Sequence, residues 1–316
     1  MKVLLVTTWG EPCGIAEHSA MLKEAVEAAD PDIQVFPNSD LLDPALLDDG
    51  RGIDILHLNY QAALHSRWTS AQIAFLRTTG MKVVVTYHDS GVPNSDHCKA
   101  IIDAADAAVV HEPFDDLPAE KTHYWRMGVP EAPQRYRLFR ASPGHRPVLG
   151  TIGFPFGWKN YSALIRGADA AGWNVLLLAP TASKEQIAEW LDCSDHIFVR
   201  AQFLPREEAV QWLAGCDATA FTYVTHNTGQ SGAILLGIAA RKPVFALRTC
   251  RQFRALYADP IGRLAIRWID NFDDLAKELR ALPLTGKPDK PTVALAEQES
   301  WAHLGKKYAA LYRSLV

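Results

Sequence analysis

From Arg146 to Gly172 the chain reads RPVLGTIGFPFGWKNYSALIRGADAAG. A short apolar run, Val148 to Ile152, meets a loop, and Gly150, Gly153 and Gly157 punctuate this strand-loop-helix junction. Apolar residues at helical spacing follow from Tyr161. A buried parallel strand feeding a helix has this signature. The chain opens the same way. KVLLVTT from Lys2 is a strand, and IAEHSAMLKEAVEAA from Ile15 is a helix. The pattern therefore starts twice.

Between the two starts, IQVF, DILHLNY, KVVVTYH and AAVVH read as strands, with TSAQIAFLRTT and SDHCKAIIDAA as helices. After the second start come NVLLLAP, KEQIAEWL, HIFVRAQFL, REEAVQWLAG, ATAFTYV, PVFAL, LAIRW and FDDLAKELRAL. Strands alternating with helices predict parallel sheets covered on both faces. The fold class is α/β, with two Rossmann-like doubly wound domains expected to face a central cleft. The Pro- and Arg-rich stretch GVPEAPQRYRLFRASPGHRP is the expected linker, dividing 1–143 from 144–297 near Pro143. SWAHLGKKYAALYRSLV reads as a final amphipathic helix after a Pro/Lys loop.

A chain of 316 residues is ample for two cores. A net charge of -4 excludes a general polyanion binder. The five cysteines are odd in number and lie far apart, without metal-site spacing, so reduced thiols and a cytoplasmic location are expected. No apolar run approaches the roughly 20 residues that span a bilayer.

In open parallel sheets ligands bind beyond the carboxyl ends of the strands. Gly10 and Gly14 follow the first strand but do not form G-x-G-x-x-G, which argues against a nicotinamide oxidoreductase. Gly14 lets a ligand approach the backbone, and Glu17 beside His18 favours the first helical turn. VTYHDS ends a strand with His88 and Asp89. An imidazole there can accept a hydrogen bond from a substrate hydroxyl. VVHEP puts His111 and Glu112 at another strand end, while His57, inside DILHLNY, reads as buried structure. His88, His97 and Cys98 match no familiar metal spacing.

In the second half, a diphosphate beside Gly153 would meet backbone N–H groups, Lys159 and Asn160. The loop Thr228, Gly229, Gln230, Ser231, Gly232 precedes the helix GAILLGIAA. Ser231 suits its N-cap, and the glycines leave room for a phosphate. A plain capped turn explains the same residues.

Taken in order, GIAEHS, DILHLNY, VVVTYHD, VVHEP with MGVP, GTIG…WKN, FLPREEAVQWLAGCDATAFTY, GQSGAILLGIAARKPV and SW…Y…LY resemble the GT-B glycosyltransferases, family 4 in particular. The resemblance spans nearly the whole chain. It implies a retaining transfer from a nucleotide diphosphate sugar as co-substrate, no further cofactor and no required metal. It places the donor in the second domain and the acceptor in the first, and sends the last helix, 298–316, back to the first domain. Gly14 corresponds to a glycine loop near sugar and phosphates, His88 to a histidine near the transferred sugar, and Lys159 to the basic residue on the diphosphate. Thr228 to Gly232 corresponds to the donor-sugar and phosphate loop. Glu17, His88, Asp89 and Glu112 then stand on the acceptor side.

One departure stands out. The family commonly carries two glutamates with seven residues between them, the second on the ribose hydroxyls. Those positions here are Thr228 and Leu236. Leu236 accepts no hydrogen bond and is expected in the core, leaving Glu208 as a substitute ribose partner. Basic residues also cluster: six Lys or Arg and only Glu131 between Lys121 and Arg146, then five and no acid between Arg241 and Arg254. They admit a polyanionic acceptor, such as a modified base in nucleic acid flipped out to react. The competing readings are a noncatalytic sugar-nucleotide binder and a sugar-nucleotide epimerase.

Overall fold

In a computed structural model of the chain the described residues are 1–39, 52–62, 65, 68–88, 96–112, 117–133, 146–224 and 230–316. Contacts group the chain into two compact units. One is Met1–Gly128 with Asn227–Gln230 and Glu299–Val316, the other Val129–His226 with Ser231–Gln298. Pro143 lies outside the described residues, and the units change over at Gly128.

The first unit runs β1 (Lys2–Val6), α1 (Gly14–Ala29), β2 (Gln34–Asn38), β3 (Ile55–Tyr60), α2 (Ser70–Thr78), β4 (Lys82–Tyr87), α3 (Asp96–Ala104), β5 (Ala107–Val110) and β6 (Thr122–Tyr124). Its sheet has the order β2-β1-β3-β4-β5-β6, every pairing parallel. The near-continuous apolar strands are what burial on both faces requires. Leu4, Val6, Leu56, Leu58, Val83 and Val85 face one side, against Ile73 and Leu76 of α2 and Ile101 and Ile102 of α3. Val3, Leu5, Ile55, Val84 and Val109 face the other, against Leu22 and Val26 of α1.

The C-terminal helix (Trp301–Leu315) completes that second layer with Leu304, Tyr308, Leu311 and Tyr312. It lies tight on α1: a Cβ at Gly305 would come within 2.3 Å of the Ala25 carbonyl oxygen. Only glycine permits that approach.

The second unit runs β7 (Val148–Ile152), α4 (Tyr161–Ala170), β8 (Asn174–Leu178), α5 (Lys184–Leu191), β9 (Ile197–Arg200), α6 (Arg206–Ala214), β10 (Ala218–Phe221), α7 (Gly232–Ala239), β11 (Val244–Leu247), α8 (Arg254–Ala258), α9 (Pro260–Ala265), β12 (Ile266–Ile269), α10 (Phe272–Ala281) and α11 (Lys290–Gln298). The sheet order is β12-β11-β10-β7-β8-β9, again all parallel. The strand order reverses between β7 and β10, the switch point where such sheets take their ligands.

Four elements lie outside the sequence reading: α8 and α9, between PVFAL and LAIRW where no helix was expected, and β6 and α11. β6 has three half-buried or exposed residues and no apolar run, so nothing in its pattern marks a strand. α11 occupies part of the expected Pro/Lys loop. Pro291 falls in its first turn, where a missing N–H costs no hydrogen bond. Asp289 caps the turn, accepting from the Thr292 N–H at 3.3 Å and the Thr292 hydroxyl at 2.8 Å.

Candidate functional site

In the second unit the site is built on the switch point. After β7, Gly153 takes φ +147, a region closed to most side chains. Tyr161 fixes the turn by donating from its hydroxyl to the Gly153 carbonyl at 2.9 Å. A single 3-10 turn, Gly157–Lys159, then folds the chain back, and Asn160 follows at φ 54. This turn drives Lys159 inward until only 5% of it remains exposed. A Cβ on Gly153 would stand 2.1 Å from the Lys159 Nζ. Glycine at 153 is thus needed for both its backbone angle and the room it leaves the lysine.

Lys159 Nζ donates to the Tyr223 hydroxyl at 2.9 Å. It also sits 4.3 Å from the Tyr223 ring centroid and 5.1 Å from that of Trp158. Tyr223 lies just beyond β10, and the two loops are tied by the Val224 N–H donating to the Trp158 carbonyl at 2.9 Å. Burial pushes the Tyr223 phenol well up, so it stays neutral. Burial also brings Lys159 down to about 7. Among the described residues no carboxylate forms an ion pair with Lys159. A buried ammonium without a counter-charge is costly, and an incoming anion relieves that cost.

Ser231 stands at the N-cap of α7, but its hydroxyl does not cap the helix. It points to the Tyr223 hydroxyl at 3.5 Å instead. Gly232 opens the helix and is exposed. Lys159, Tyr223, Ser231 and the start of α7 therefore form one row. Helix N-terminus and ammonium together are an anion site in chemical terms.

Of the expected donor residues, Gly153, Lys159, Asn160, Ser231 and Gly232 belong to this row or border it. Thr228 and Gly229 lie outside the described residues. Gln230 is used otherwise: its Oε1 accepts from the Met127 N–H at 2.8 Å within the first unit. Gly14 opens α1 in the first unit, exposed, with open space where a Cβ would be. Leu236 is half-buried on α7, not a core residue. The apolar stripe of that helix is carried by Ile234, Leu235 and Ile238. Glu208 accepts from the Trp212 indole N–H at 3.3 Å.

In the first unit the strand ends gather histidines. His88 follows β4, half-buried, its Nε2 3.2 Å from Asn59 Oδ1. Asn59 is oriented in turn, donating from Nδ2 to the Ser19 hydroxyl at 2.6 Å, and Ser19 meets Thr7 at 2.6 Å. His111, after β5, has Nδ1 2.8 Å from the Trp125 carbonyl, so Nδ1 carries the proton there. His18, on α1, is fully buried. The ring centroids of His18 and His88 are 4.6 Å apart, those of His88 and His111 5.1 Å. Burial lowers all three below the ordinary histidine range, His111 to about 4, so they are neutral near pH 7. Glu112 is buried beside His111, Glu17 is half-buried on α1, and Asp89 lies outside the described residues.

Four residues of the two basic stretches have partners, and Arg135, Arg137 and Arg140 lie outside the described residues. Lys121 donates to the Asp103 carbonyl at 2.5 Å. Arg126 pairs with Glu299, Arg146 with Asp169 at 2.8 Å, and Arg248 with Asp270 at 2.6 Å. None of the five cysteines forms a disulfide. Among the described residues no helix is long and apolar enough to cross a membrane.

Sequence reasoning passed over Tyr223 and Trp158. The signal for Tyr223 was its position, an aromatic just beyond a strand at the switch point. Trp158 was visible only as the neighbour of Lys159.

No protein-family model matches the chain, and no curated protein matches it. Solved structures do. HepE of Anabaena, in complex with UDP and glucose, is 16% identical over 100% of both chains, with a TM-score of 0.68. AviGT4, a glycosyltransferase involved in avilamycin A biosynthesis, is 16% identical over 99% of this chain and 97% of its own, at 0.61. The E. coli trehalose-6-phosphate structure bound with UDP-2-fluoro glucose is 9% identical over 100% of both, at 0.68. The architecture is that of the GT-B glycosyltransferases.

Proposed function

We propose that the protein is a glycosyltransferase that moves a sugar from a nucleotide diphosphate sugar to a hydroxyl acceptor. The observation that carries this reading is Lys159, buried at the switch point of a Rossmann-ordered sheet without an acidic partner among the described residues. Structures of similar fold hold UDP with glucose and UDP-2-fluoro glucose, which favours a UDP-sugar as donor.

As the glycosidic bond breaks, negative charge grows on the leaving diphosphate. Lys159 Nζ and the N–H groups opening α7 would meet that charge from fixed positions, which is how preorganised donors lower a barrier. Tyr223 holds the ammonium in place. His88 has its Nε2 committed to Asn59, so its Nδ1 is the atom free to accept from a hydroxyl of the sugar or acceptor. No protein nucleophile is assigned, and the transfer proceeds with retention at the anomeric carbon. Reduced cysteines fit a cytoplasmic enzyme.

The test is titration with UDP and UDP-glucose followed by thermal unfolding. Ligand at 100 times its Kd adds about 2.7 kcal/mol to stability. Failure of every nucleotide diphosphate sugar to shift the melting temperature would overturn the reading. Binding without transfer or hydrolysis would favour the noncatalytic alternative, which the absence of both acids, at Thr228 and Leu236, motivates.

A further inference from the structure

We infer that Asn59 is a positioning residue of the transfer: it fixes the His88 ring in the tautomer whose Nδ1 only accepts, and so restricts the substrate group at that atom to a hydroxyl. The inference rests on the transferase reading for its effect on turnover. Asn59 lies in β3 and is 0% exposed, so it acts through His88. His88 is tied to β3 twice. Its backbone N–H donates to the Tyr60 carbonyl at 2.9 Å, and its Nε2 is 3.2 Å from Asn59 Oδ1.

An amide side chain accepts at one end and donates at the other, so its partners decide which way it faces. The Ser19 hydroxyl has one proton and gives it to the Ile15 carbonyl at 2.8 Å. Its oxygen can then only accept. The Thr7 hydroxyl, 2.6 Å away, is therefore a donor to it, and so is Asn59 Nδ2 at 2.6 Å. Turned over, the amide would set its oxygen against a serine oxygen with no proton to offer. With Nδ2 spent on Ser19, Oδ1 faces His88. A carbonyl oxygen has no proton, so His88 Nε2 carries it and Nδ1 keeps the lone pair.

Four elements supply this chain of bonds: the end of β1, α1, β3 and the end of β4. Thr7, Ser19 and Asn59 are each at most 1% exposed, so water does not compete for their hydrogen bonds. Reversing a link in such a place leaves a buried polar group unpaired.

Burial, with the imidazoles of His18, His111, His57 and His65 around it, holds His88 well below the ordinary histidine range. The neutral ring has one donor and one acceptor. A hydroxyl brings the proton that Nδ1 needs; an ether, carbonyl or carboxylate oxygen does not. Aspartate at position 59 would undo this selection. A carboxylate on the Nε2 proton stabilises the imidazolium, whose Nδ1 donates instead. The amide of Asn59 holds the ring without charging it.

The experiment follows His88 by long-range proton–nitrogen NMR in the full chain, with no sugar nucleotide present and the signals assigned from His88→Gln. At pH 7.5 the wild type is expected to show Nδ1 without a proton and Nε2 with one. Asn59→Asp is expected to raise the pH at which His88 titrates by about 1–3 pH units. The acid limb of UDP-glucose turnover should rise with it, which a loss of packing alone would not cause. Ser19→Ala removes only the support of the amide. It is expected to fold, to keep the UDP affinity that the second unit supplies, and to lose roughly 10- to 100-fold in kcat. A proton on Nδ1 in the wild type would overturn the inference. So would a titration unmoved in Asn59→Asp, or wild-type kcat in Ser19→Ala. If His88 titrates as expected but the wild type turns over no nucleotide diphosphate sugar, the transferase reading fails, and with it the role in turnover, while the tautomer assignment stands.

Discussion

The Nδ1 of His57 and the hydroxyl of Tyr312 lie 2.5 Å apart, though 255 positions separate the residues in the chain. His57 Nε2 is also 2.7 Å from the Thr86 hydroxyl, which meets the Tyr308 hydroxyl at 2.9 Å. Two tyrosines of the last helix are thus hydrogen-bonded into the first sheet through one imidazole and one threonine. Tyr312→Phe removes one link and leaves a ring nitrogen buried without a partner. The expected cost is about 1–3 kcal/mol, read from urea unfolding. A change within the error of the wild-type curve would mean that the network adds nothing to stability.

Acid should expose the buried histidines. Burial holds His57 at about 3 and His111 at about 4, against 6.5 in the unfolded chain. Above pH 6.5 neither state binds the proton and their contribution is complete. As the pH falls below 6.5 the unfolded chain takes up protons that the native chain refuses, and stability is lost until the folded values are reached. Each such histidine contributes a slope of up to about 1.4 kcal/mol per pH unit. Urea unfolding in EDTA between pH 7.5 and 5 checks this. A flat profile would show that water reaches these rings.

Lys159 makes nucleotide binding pH-dependent. With its own value near 7, the free lysine loses its proton as the pH rises, and an anion must then recruit a proton to bind. UDP affinity is expected to fall from pH 7 to 9, by up to tenfold per unit, in a range where phosphate no longer changes charge. Lys159→Met should fold, bind UDP about 10- to 150-fold more weakly, and lose that pH dependence. Calorimetric titration at three pH values is sufficient, and an unchanged Kd in the variant would remove Lys159 from the site.

Gly153→Ala tests the same site by a different route. Its φ of +147 strains any L residue, and the new Cβ would stand 2.1 Å from the Lys159 Nζ. The backbone strain costs about 1–3 kcal/mol, and displacement of the ammonium should weaken UDP binding in addition. If stability drops but UDP affinity is retained, the lysine has found another position from which to act.

Leu236 is half-buried, so Leu236→Glu is expected to fold, within about 1 kcal/mol of the wild type. UDP affinity separates two accounts of this position. No gain means that ribose is held elsewhere. A gain means that Leu236 occupies an ordinary ribose pocket whose acid is missing.

The strands were legible because burial on both faces demands unbroken apolar runs, as in VLLV and VVV of the first sheet. β6 was not, since a short edge strand with polar residues leaves no pattern. Lys159 could be singled out from its glycines and its loop. Its burial could not, because that depends on Tyr223, 64 residues away. Ser231 shows the limit of local rules: its type and place are those of a cap, yet a tertiary partner takes its hydroxyl. The histidine cluster was equally hidden. His18, His88 and His111 share no spacing, and only the packing of α1 on the sheet brings their rings together.

The last helix supplies part of the first unit's interior, through Leu304, Tyr308 and Tyr312. A ribosome delivers those residues after every strand of both sheets has been made. Until then the first sheet has one face covered only by α1, with His57 and Thr86 lacking their tyrosines. The second unit, apart from Asn227–Gln230, is an uninterrupted segment and can mature first. Synthesis therefore runs against the numbering: the half of the protein that is translated first is the half that must wait to be finished.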